Sequence, residues 1–282
     1  MPTIAASISR TRRELDAAGS TEARLEAEVL VSEVVGKRRD WILLHPDDRL
    51  TPDQASRLDS LLARRITREP LPYVLGRAEF FGLTFRITSA AIVPRPETEI
   101  LLEAVVERAR AIGAAIAVDV GAGSGAIAVT LAKQVPEMRV IALDVSLDAL
   151  RLTRENAAAH RVAHRVIPVA SDLLEGVRGE TDCIAANLPY IMTGEFPDLQ
   201  PEVRDYEPRA ALDGGADGLA LIRRLSGQLL GHLRTGGFAA LEVGAGQAAE
   251  VTKLLDHAGL SGVEVLRDYA GIERVVIGWR KG

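Results

Sequence analysis

The sequence predicts an α/β protein: a mostly parallel sheet with helices on both faces, preceded by a small helical N-terminal domain. Three observations carry this. From Ala114 onward, apolar strand-like runs alternate with segments of helical periodicity. Before about Glu69 the pattern is helical throughout and is closed by Pro70 and Pro72. Between them in character sits a glycine-rich turn, Gly121 to Gly125, which follows a strand and opens a helix. The bulk numbers agree. A chain of 282 residues with 47% apolar and 26% charged content can bury a large core in one or two unequal domains.

Taken in order, the first helix is expected over Thr3 to Ala18 and the second over Thr21 to Val35, stopped by Gly36. The third has the clearest start. Thr51 stands as N-cap, Pro52 as first helical residue and Gln54 completes a capping box, and the helix is expected to run to about Glu69. Glu79 to Thr88, with Phe80, Phe81, Phe85 and Ile87 broken by Gly82, reads as a hairpin-like connector. A helix from Glu97 to Ile112 opens at Pro96. Strands follow at 115–120, 138–143, 165–169, 182–186, 237–243, 262–267 and 273–279, with helices at 125–134, 147–159, 217–232 and 247–258. No helix separates the last two strands, so the final one is expected to insert antiparallel.

The net charge of −5 provides no broad basic field for nucleic acid or anionic membrane. Short basic runs such as Lys37-Arg38-Arg39 read as solvated faces. The single cysteine, Cys183, has no partner for an internal disulfide and lies in an apolar run, which suits a reducing cytoplasm. The N-terminus lacks a basic region leading into an apolar core, so no signal peptide is expected. The stretch Ala111 to Ala132 carries Asp119 in its middle and is interrupted by Gly121, Gly123 and Gly125, which argues against a membrane span.

Asp119-Val120-Gly121-Ala122-Gly123-Ser124-Gly125 is the first chemical signal. Glycines there permit a tight turn and close approach of backbone to a ligand. Asp144 closes the next strand, where an acid accepts hydrogen bonds from ribose hydroxyls. Two ligands fit. Gly121, Gly123 and Ala126 loosely match the G-x-G-x-x-G/A of nicotinamide enzymes, while an acid ahead of G-x-G-x-G is the usual pattern in adenosylmethionine enzymes. Ser171-Asp172-Leu173 follows the third strand of the sheet, where an acid commonly meets the adenine amine.

The second signal is Asn187-Leu188-Pro189-Tyr190, at the end of the fourth strand. Ligands of open α/β sheets bind outside the carboxyl ends of strands, so this tetrapeptide faces the glycine turn. It looks like the Asn-Pro-Pro-Tyr motif of methyltransferases that act on amino groups conjugated to a π system. Pro70 to Glu99 contains Leu71-Pro72-Tyr73-Val74-Leu75-Gly76, Glu79-Phe80-Phe81-Gly82-Leu83 and Pro94-Arg95-Pro96-Glu97-Thr98-Glu99. Further on, Tyr206-Glu207-Pro208 precedes Ala211-Leu212-Asp213-Gly214-Gly215-Ala216-Asp217-Gly218-Leu219. Together these runs resemble the peptide chain release factor glutamine methyltransferases over nearly the whole chain. Leu188 replaces the first motif proline, and Leu173 stands where that family often has an aromatic residue.

The resemblance implies a class I, Rossmann-like methyltransferase sheet of seven strands with the last antiparallel. It divides the chain into a helical substrate-recognition domain (1–76), a β-hairpin connector (77–95) and an S-adenosyl-L-methionine-dependent domain (96–282). Cofactor contacts are expected from Gly121, Ala122, Gly123, Ser124, Gly125, Asp144, Asp172, Leu173 and Asn187. Asn187, Leu188, Pro189 and Tyr190 are expected to hold the acceptor and carry the catalysis. The implied acceptor is the glutamine of the Gly-Gly-Gln tripeptide in class 1 release factors, methylated on its amide nitrogen. A ribosomal-protein glutamine is the nearest alternative acceptor; adenine N6 in nucleic acid shares the tetrapeptide but fits the charge poorly. No metal set and no His or Cys nucleophile is expected. Positioning and electrostatics suffice for an amide whose lone pair is delocalised into its carbonyl.

Overall fold

Threonine caps open the helical part of the chain. In the computed structural model, which describes residues 1–282, Thr3 Oγ1 accepts from the Ala6 amide at the start of α1 (Ile4–Ala17). Helix α2 (Ala23–Val35) ends on Gly36 in the left-handed conformation, as expected of a helix-stopping glycine. A short helix α3 (Arg39–Leu44) follows and delivers Ile42 to the core. The capping box of α4 (Pro52–Arg65) is complete: Gln54 N donates to Thr51 Oγ1 at 3.2 Å and Thr51 N to Gln54 Oε1 at 2.8 Å. α4 ends before Glu69, because Arg68 turns into positive φ at 70°. The prolines beyond it then serve a second purpose, with Pro72 in the first turn of α5 (Leu71–Leu75). Neither α3 nor α5 was expected from periodicity, since helices of six and five residues span too few turns to display it.

The connector is an antiparallel pair, β1 (Arg77–Phe80) and β2 (Leu83–Arg86). Its two turn residues, Phe81 and Gly82, have φ of 51° and 70°, the type I′ pattern that matches strand twist. After it come α6 (Thr98–Ala111), β3 (Ile116–Val120), α7 (Ala126–Gln134), β4 (Arg139–Asp144), α8 (Leu147–Ala159), β5 (Val166–Ala170) and β6 (Thr181–Ala186). The remainder is α9 (Pro201–Tyr206), α10 (Ala220–Ser226), α11 (Leu229–His232), β7 (Leu233–Glu242), α12 (Ala248–His257), β8 (Ser261–Arg267) and β9 (Glu273–Trp279). The helix expected over 217–232 is thus two shorter ones, parted at Gly227.

The seven strands form one sheet in the order β5-β4-β3-β6-β7-β9-β8. β3 to β7 run parallel, and β9 inserts antiparallel between β7 and β8. Alternate residues feed two cores. Cys183 and Ala185 of β6, with Phe238 and Ala240 of β7, meet α6 and α7 on one face. Ile184 and Ala186, with Ala239 and Leu241, meet α10 and α12 on the other.

By packing, the chain falls into two units: Met1–Gly76 with Gln200–Tyr206, and Arg77–Leu199 with Glu207–Gly282. Two boundaries therefore differ from expectation. The strand pair groups with the sheet, since Phe80 and Phe85 are buried in its core. Gln200–Tyr206, expected in the C-terminal domain, groups with the helices. Glu202 of α9 accepts from Arg65 at 2.8 Å and from Arg68 at 2.7 Å, and Tyr206 donates its hydroxyl proton to Thr67. No helix is long and apolar enough to cross a membrane.

Candidate active site

The strand ends of β3, β4 and β6 meet around a cavity of about 430 Å³. Its glycine wall is the turn after β3, where Gly121, Gly123 and Gly125 all take positive φ, at 78°, 55° and 79°. Backbone N–H groups of Gly121 and Ala122 both donate to Leu143 O, which holds the turn against β4. Gly125 is required by packing: a Cβ there would stand 2.9 Å from Thr153 Cγ2 on α8. Thr153 in turn donates to Gly123 O at 3.0 Å, and Asn156 donates to Ser124 O at 2.8 Å. The turn is therefore clamped from beneath by α8.

Asp144 stands where β4 enters the cavity. One carboxylate oxygen accepts from Gly123 N at 2.9 Å and the other from Ser146 N at 2.8 Å. Each oxygen keeps acceptor capacity for a ligand hydroxyl. Asp119, the acid that opens the motif, does not reach the cavity. It is fully buried, with Oδ2 accepting from Ala128 N and Oδ1 without a partner. Burial, with a smaller contribution from the Asp144 charge, pushes it up to about 7.

Leu173 lines the cavity in a left-handed backbone conformation, φ 51°. Ser171 braces that turn by donating to Leu173 O and accepting from Gly176 N. Asp172 is at the cavity too, ion-paired to Arg224 of α10 at 2.7 Å. Of the residues expected around a cofactor, Gly121, Gly123, Asp144, Asp172, Leu173 and Asn187 line one cavity. Ala122 and Ser124 do not: both side chains are buried in the body of the turn, and Gly125 lies behind it against α8.

Asn187, Leu188 and Pro189, at the end of β6, line the same cavity. Leu188 is buried in the core of the α10–α12 face, with Cδ2 only 3.3 Å from where a Cβ on Gly121 would lie. Asn187 donates through Nδ2 to Thr98 Oγ1, 3.0 Å away at the start of α6. Tyr190 is set back from the cavity. Burial pushes its hydroxyl up to about 12. Glu242 is 1% exposed and pushed up to about 7 by burial, against the pull of the Thr98 hydrogen bond, Arg274 and the Tyr190 hydrogen bond.

Loops flagged only as motif runs complete the walls. Ala90 to Ile92 and Pro208 to Ala211 both contribute. They are tied by Arg95, which donates to both oxygens of Glu207 at 2.7 and 2.8 Å. Glu207 is 1% exposed at its side chain, and burial raises it above the ordinary carboxylate range. The Gly214–Gly218 run packs backbone to backbone on the tetrapeptide. Gly214 N donates to Ile191 O, and a Cβ at Gly218 would sit 2.3 Å from Tyr190 O. Gln247 closes the far side, donating to Tyr190 O and accepting from Gly244 N, both at 2.9 Å. Pairwise motif spacing carries no sign of Thr98 or Gln247 meeting one tetrapeptide; only its place within a motif run marks the first.

Two family models match: the PrmC N-terminal domain over residues 7–76 and the methyltransferase small domain over 96–198. The release factor glutamine methyltransferase of Geobacter sulfurreducens is 40% identical over 277 residues, covering 98% of this chain and 96% of that protein. The one from Moorella thermoacetica is 40% identical over 99% of both. Among solved structures, a methyltransferase from Pyrococcus furiosus superposes with TM-score 0.54 at 17% identity, over 82% of this chain and all of that one (100%). A ribosomal protein L11 methylase from Lactobacillus delbrueckii subsp. bulgaricus superposes with TM-score 0.52 at 22% identity, over 70% of this chain and 86% of that one. These two carry the fold alone: a class I methyltransferase sheet. With near-complete coverage by relatives at this identity, the chain belongs to the release factor glutamine methyltransferase family.

Proposed function

We propose that this protein transfers the methyl group of S-adenosyl-L-methionine to the side-chain amide nitrogen of the glutamine in the Gly-Gly-Gln tripeptide of a class 1 release factor. The observation that carries this reading is one cavity lined by both the glycine turn with Asp144 and the Asn187-Leu188-Pro189 backbone. Its volume falls within the roughly 300–1,000 Å³ of small-molecule sites. Its walls also suit the cofactor's chemistry, with apolar Leu143, Val145, Leu173 and Leu221 for a heterocycle and the Asp144 carboxylate for ribose hydroxyls.

When bound, the cofactor supplies an electrophilic methyl group on a sulfonium sulfur. The chain's residues must make a poor nucleophile competent. Asn187 Nδ2 is already engaged by Thr98, so its Oδ1 is the atom left to accept an acceptor N–H. The Leu188 carbonyl would take the second N–H. Both amide protons held in this way turn the nitrogen lone pair toward the methyl group and stabilise the positive charge that grows on nitrogen. Leucine supplies that carbonyl as well as proline would, and Pro189 still biases its predecessor to extended geometry. Pro189 forms the adjoining wall, with Tyr190 set back from the cavity. We assign the helical unit to release-factor recognition and the cytoplasm as compartment, in keeping with the free, buried Cys183, whose thiol burial raises to about 12.

The test is incubation with labelled cofactor and, separately, a release factor, a ribosomal-protein extract and nucleic acid. Peptide mass spectrometry should find one added methyl group on the Gly-Gly-Gln glutamine. Label in nucleic acid or ribosomal protein, with none in release factor, would overturn the assignment.

A further inference from the structure

Helix α8 starts just after Asp144 and carries a polar stripe beneath the glycine turn. Thr153, Asn156 and His160 are spaced three and four apart, so they share one face of the helix. Thr153 and Asn156 are buried, at 0% and 1% exposure. Buried polar side chains are kept where their hydrogen bonds are met, and here every partner is backbone from outside the helix.

Gly123 is gripped at both its polar groups. Its N–H donates to Asp144 Oδ2 at 2.9 Å, and its carbonyl accepts from Thr153 Oγ1 at 3.0 Å. The next carbonyl, Ser124 O, accepts from Asn156 Nδ2 at 2.8 Å. The same nitrogen donates its second proton to Arg86 O at 3.0 Å, while Oδ1 accepts from Arg86 N at 2.8 Å. Asn156 thus meets the edge of β2 as a neighbouring strand would, exchanging both bonds with one residue. Two residues back on that edge, His160 Nε2 donates to Thr84 O at 2.8 Å. Only one seating of the Asn156 amide works. With oxygen and nitrogen exchanged, its oxygen would face two carbonyls.

From Arg86 the chain reaches the cavity within four residues. Ala90 N donates to Thr88 Oγ1 and Ala91 N to Thr88 O, which stiffens the passage. Ala90, Ala91 and Ile92 then form a cavity wall, and Ala91 Cβ stands 3.5 Å from where a Cβ on Gly123 would lie. One side chain therefore fastens two walls of the cavity, although neither Thr153 nor Asn156 lines it.

We propose that Thr153 and Asn156 are positioning residues for S-adenosyl-L-methionine. They turn the Gly123 and Ser124 carbonyls toward α8, and through Arg86 they fix the spacing between the glycine turn and the Ala90–Ile92 wall. Cofactor binding and docking of the β1–β2 connector are then linked, each strengthening the other. This rests on the reading of the cavity as the cofactor's site, which Asp144→Ala tests separately.

The experiment titrates full-length variants with S-adenosylhomocysteine by calorimetry. Thr153→Val keeps the shape and a methyl group against Gly125 but loses the hydroxyl. Its affinity should fall about 2- to 10-fold, the net worth of one hydrogen bond. Thr153→Ser keeps the hydroxyl and should recover most of that loss. A residue that served packing alone would show the reverse order, with valine harmless and serine, which leaves a void beside Gly125, harmful. Asn156→Asp is isosteric, keeps the acceptor for Arg86 N and sets a carboxylate against two carbonyls. Its affinity should fall roughly 10- to 100-fold, as when a buried polar group loses its partner. Hydrogen exchange supplies a second readout. Saturating S-adenosylhomocysteine should slow exchange in Arg77–Arg86 of the wild type, although no residue of that segment lines the cavity, and should no longer do so in Asn156→Ala.

Wild-type affinity in both Thr153→Val and Asn156→Asp, or undiminished slowing of connector exchange in Asn156→Ala, would overturn the proposal. If the Asn156 variants fail to fold, the contrast of valine with serine at Thr153 decides. If Asp144→Ala binds as tightly as wild type, the cavity is not the cofactor's, and the proposal falls with that reading. If Asp144→Ala weakens binding and the α8 variants do not, only the positioning role fails.

Discussion

Asn187 and Asp144 occupy the same cavity, yet their loss should be felt in different measurements. Asp144→Ala removes a charged acceptor and also the anchor of Gly123 N. Affinity for S-adenosylhomocysteine should fall roughly 10- to 150-fold, as for loss of a hydrogen bond to a charged group. Calorimetric titration with unchanged affinity would remove Asp144 from the site. Asn187→Ala should leave that affinity within a few fold and lower the single-turnover rate by roughly 10²–10³. A nearly active Asn187→Ala would overturn the proposed mechanism. For Leu188, the chemistry asks only for a carbonyl, so Leu188→Ala should keep most of its activity. The buried side chain adds a separate expectation: the same variant should lose about 2–3 kcal/mol in urea denaturation, as for a core leucine. An inactive but stable Leu188→Ala would mean that the side chain meets the acceptor. Both motif runs could be found in the sequence because each is contiguous and sits at a strand end. The neighbourhood of Glu242 and Asn187 could not, because it depends on sheet register.

Among the elements, the short helix α9 shows how far a local reading reaches. Nothing in Pro201–Tyr206 marks it as part of the helical unit, because the residues that hold it are distant in sequence. Arg65 on α4 is 5% exposed and donates to Glu26 of α2 and Glu202 of α9, both at 2.8 Å. Arg65→Ala would leave two largely buried carboxylates without their shared cation. We expect a loss of about 3 kcal/mol, the low end for breaking a buried pair by removing one partner. Equilibrium urea unfolding checks this, and a change below about 1 kcal/mol, as for exposed pairs, would show the network to be unimportant. The capped helix α4 and the long amphipathic elements were legible, since caps and periodicity are written locally. α3, α5 and the break at Gly227 were not, since each is too short to show a period.

For the whole molecule, the buried acids make stability depend on pH in a stated direction. Asp119 is raised to about 7 from an ordinary value of 3.8. Between those values the folded state holds a proton that the unfolded state has released. Asp119 therefore contributes most below the lower value, and its contribution is lost as pH rises through about 7. The slope is about 1.4 kcal/mol per pH unit within the window. Comparing the protein with Asp119→Asn isolates this residue from Glu242, which titrates in the same range. From pH 5 to pH 8 the variant should gain on the order of 2 kcal/mol relative to wild type in urea unfolding. Parallel pH profiles would show that Asp119 is not the titrating group.

By itself the sequence determined the alternation of strands and helices, the antiparallel last strand, the glycine turn, and the strand-end positions of Asp144 and the Asn187–Tyr190 tetrapeptide. These are readable because periodicity, capping and turn chemistry act over a few residues, and because this family's motifs are contiguous. Tertiary structure alone decided which residues stand beside one another across strands. It joined Arg95 to Glu207, seated Gly218 on the Tyr190 carbonyl, drew α9 to Arg65, and set Thr98 against Asn187. Such pairings follow from sheet order and register, which depend on how whole faces bury their apolar residues. A face is assembled from segments far apart in the chain, so no local window contains it.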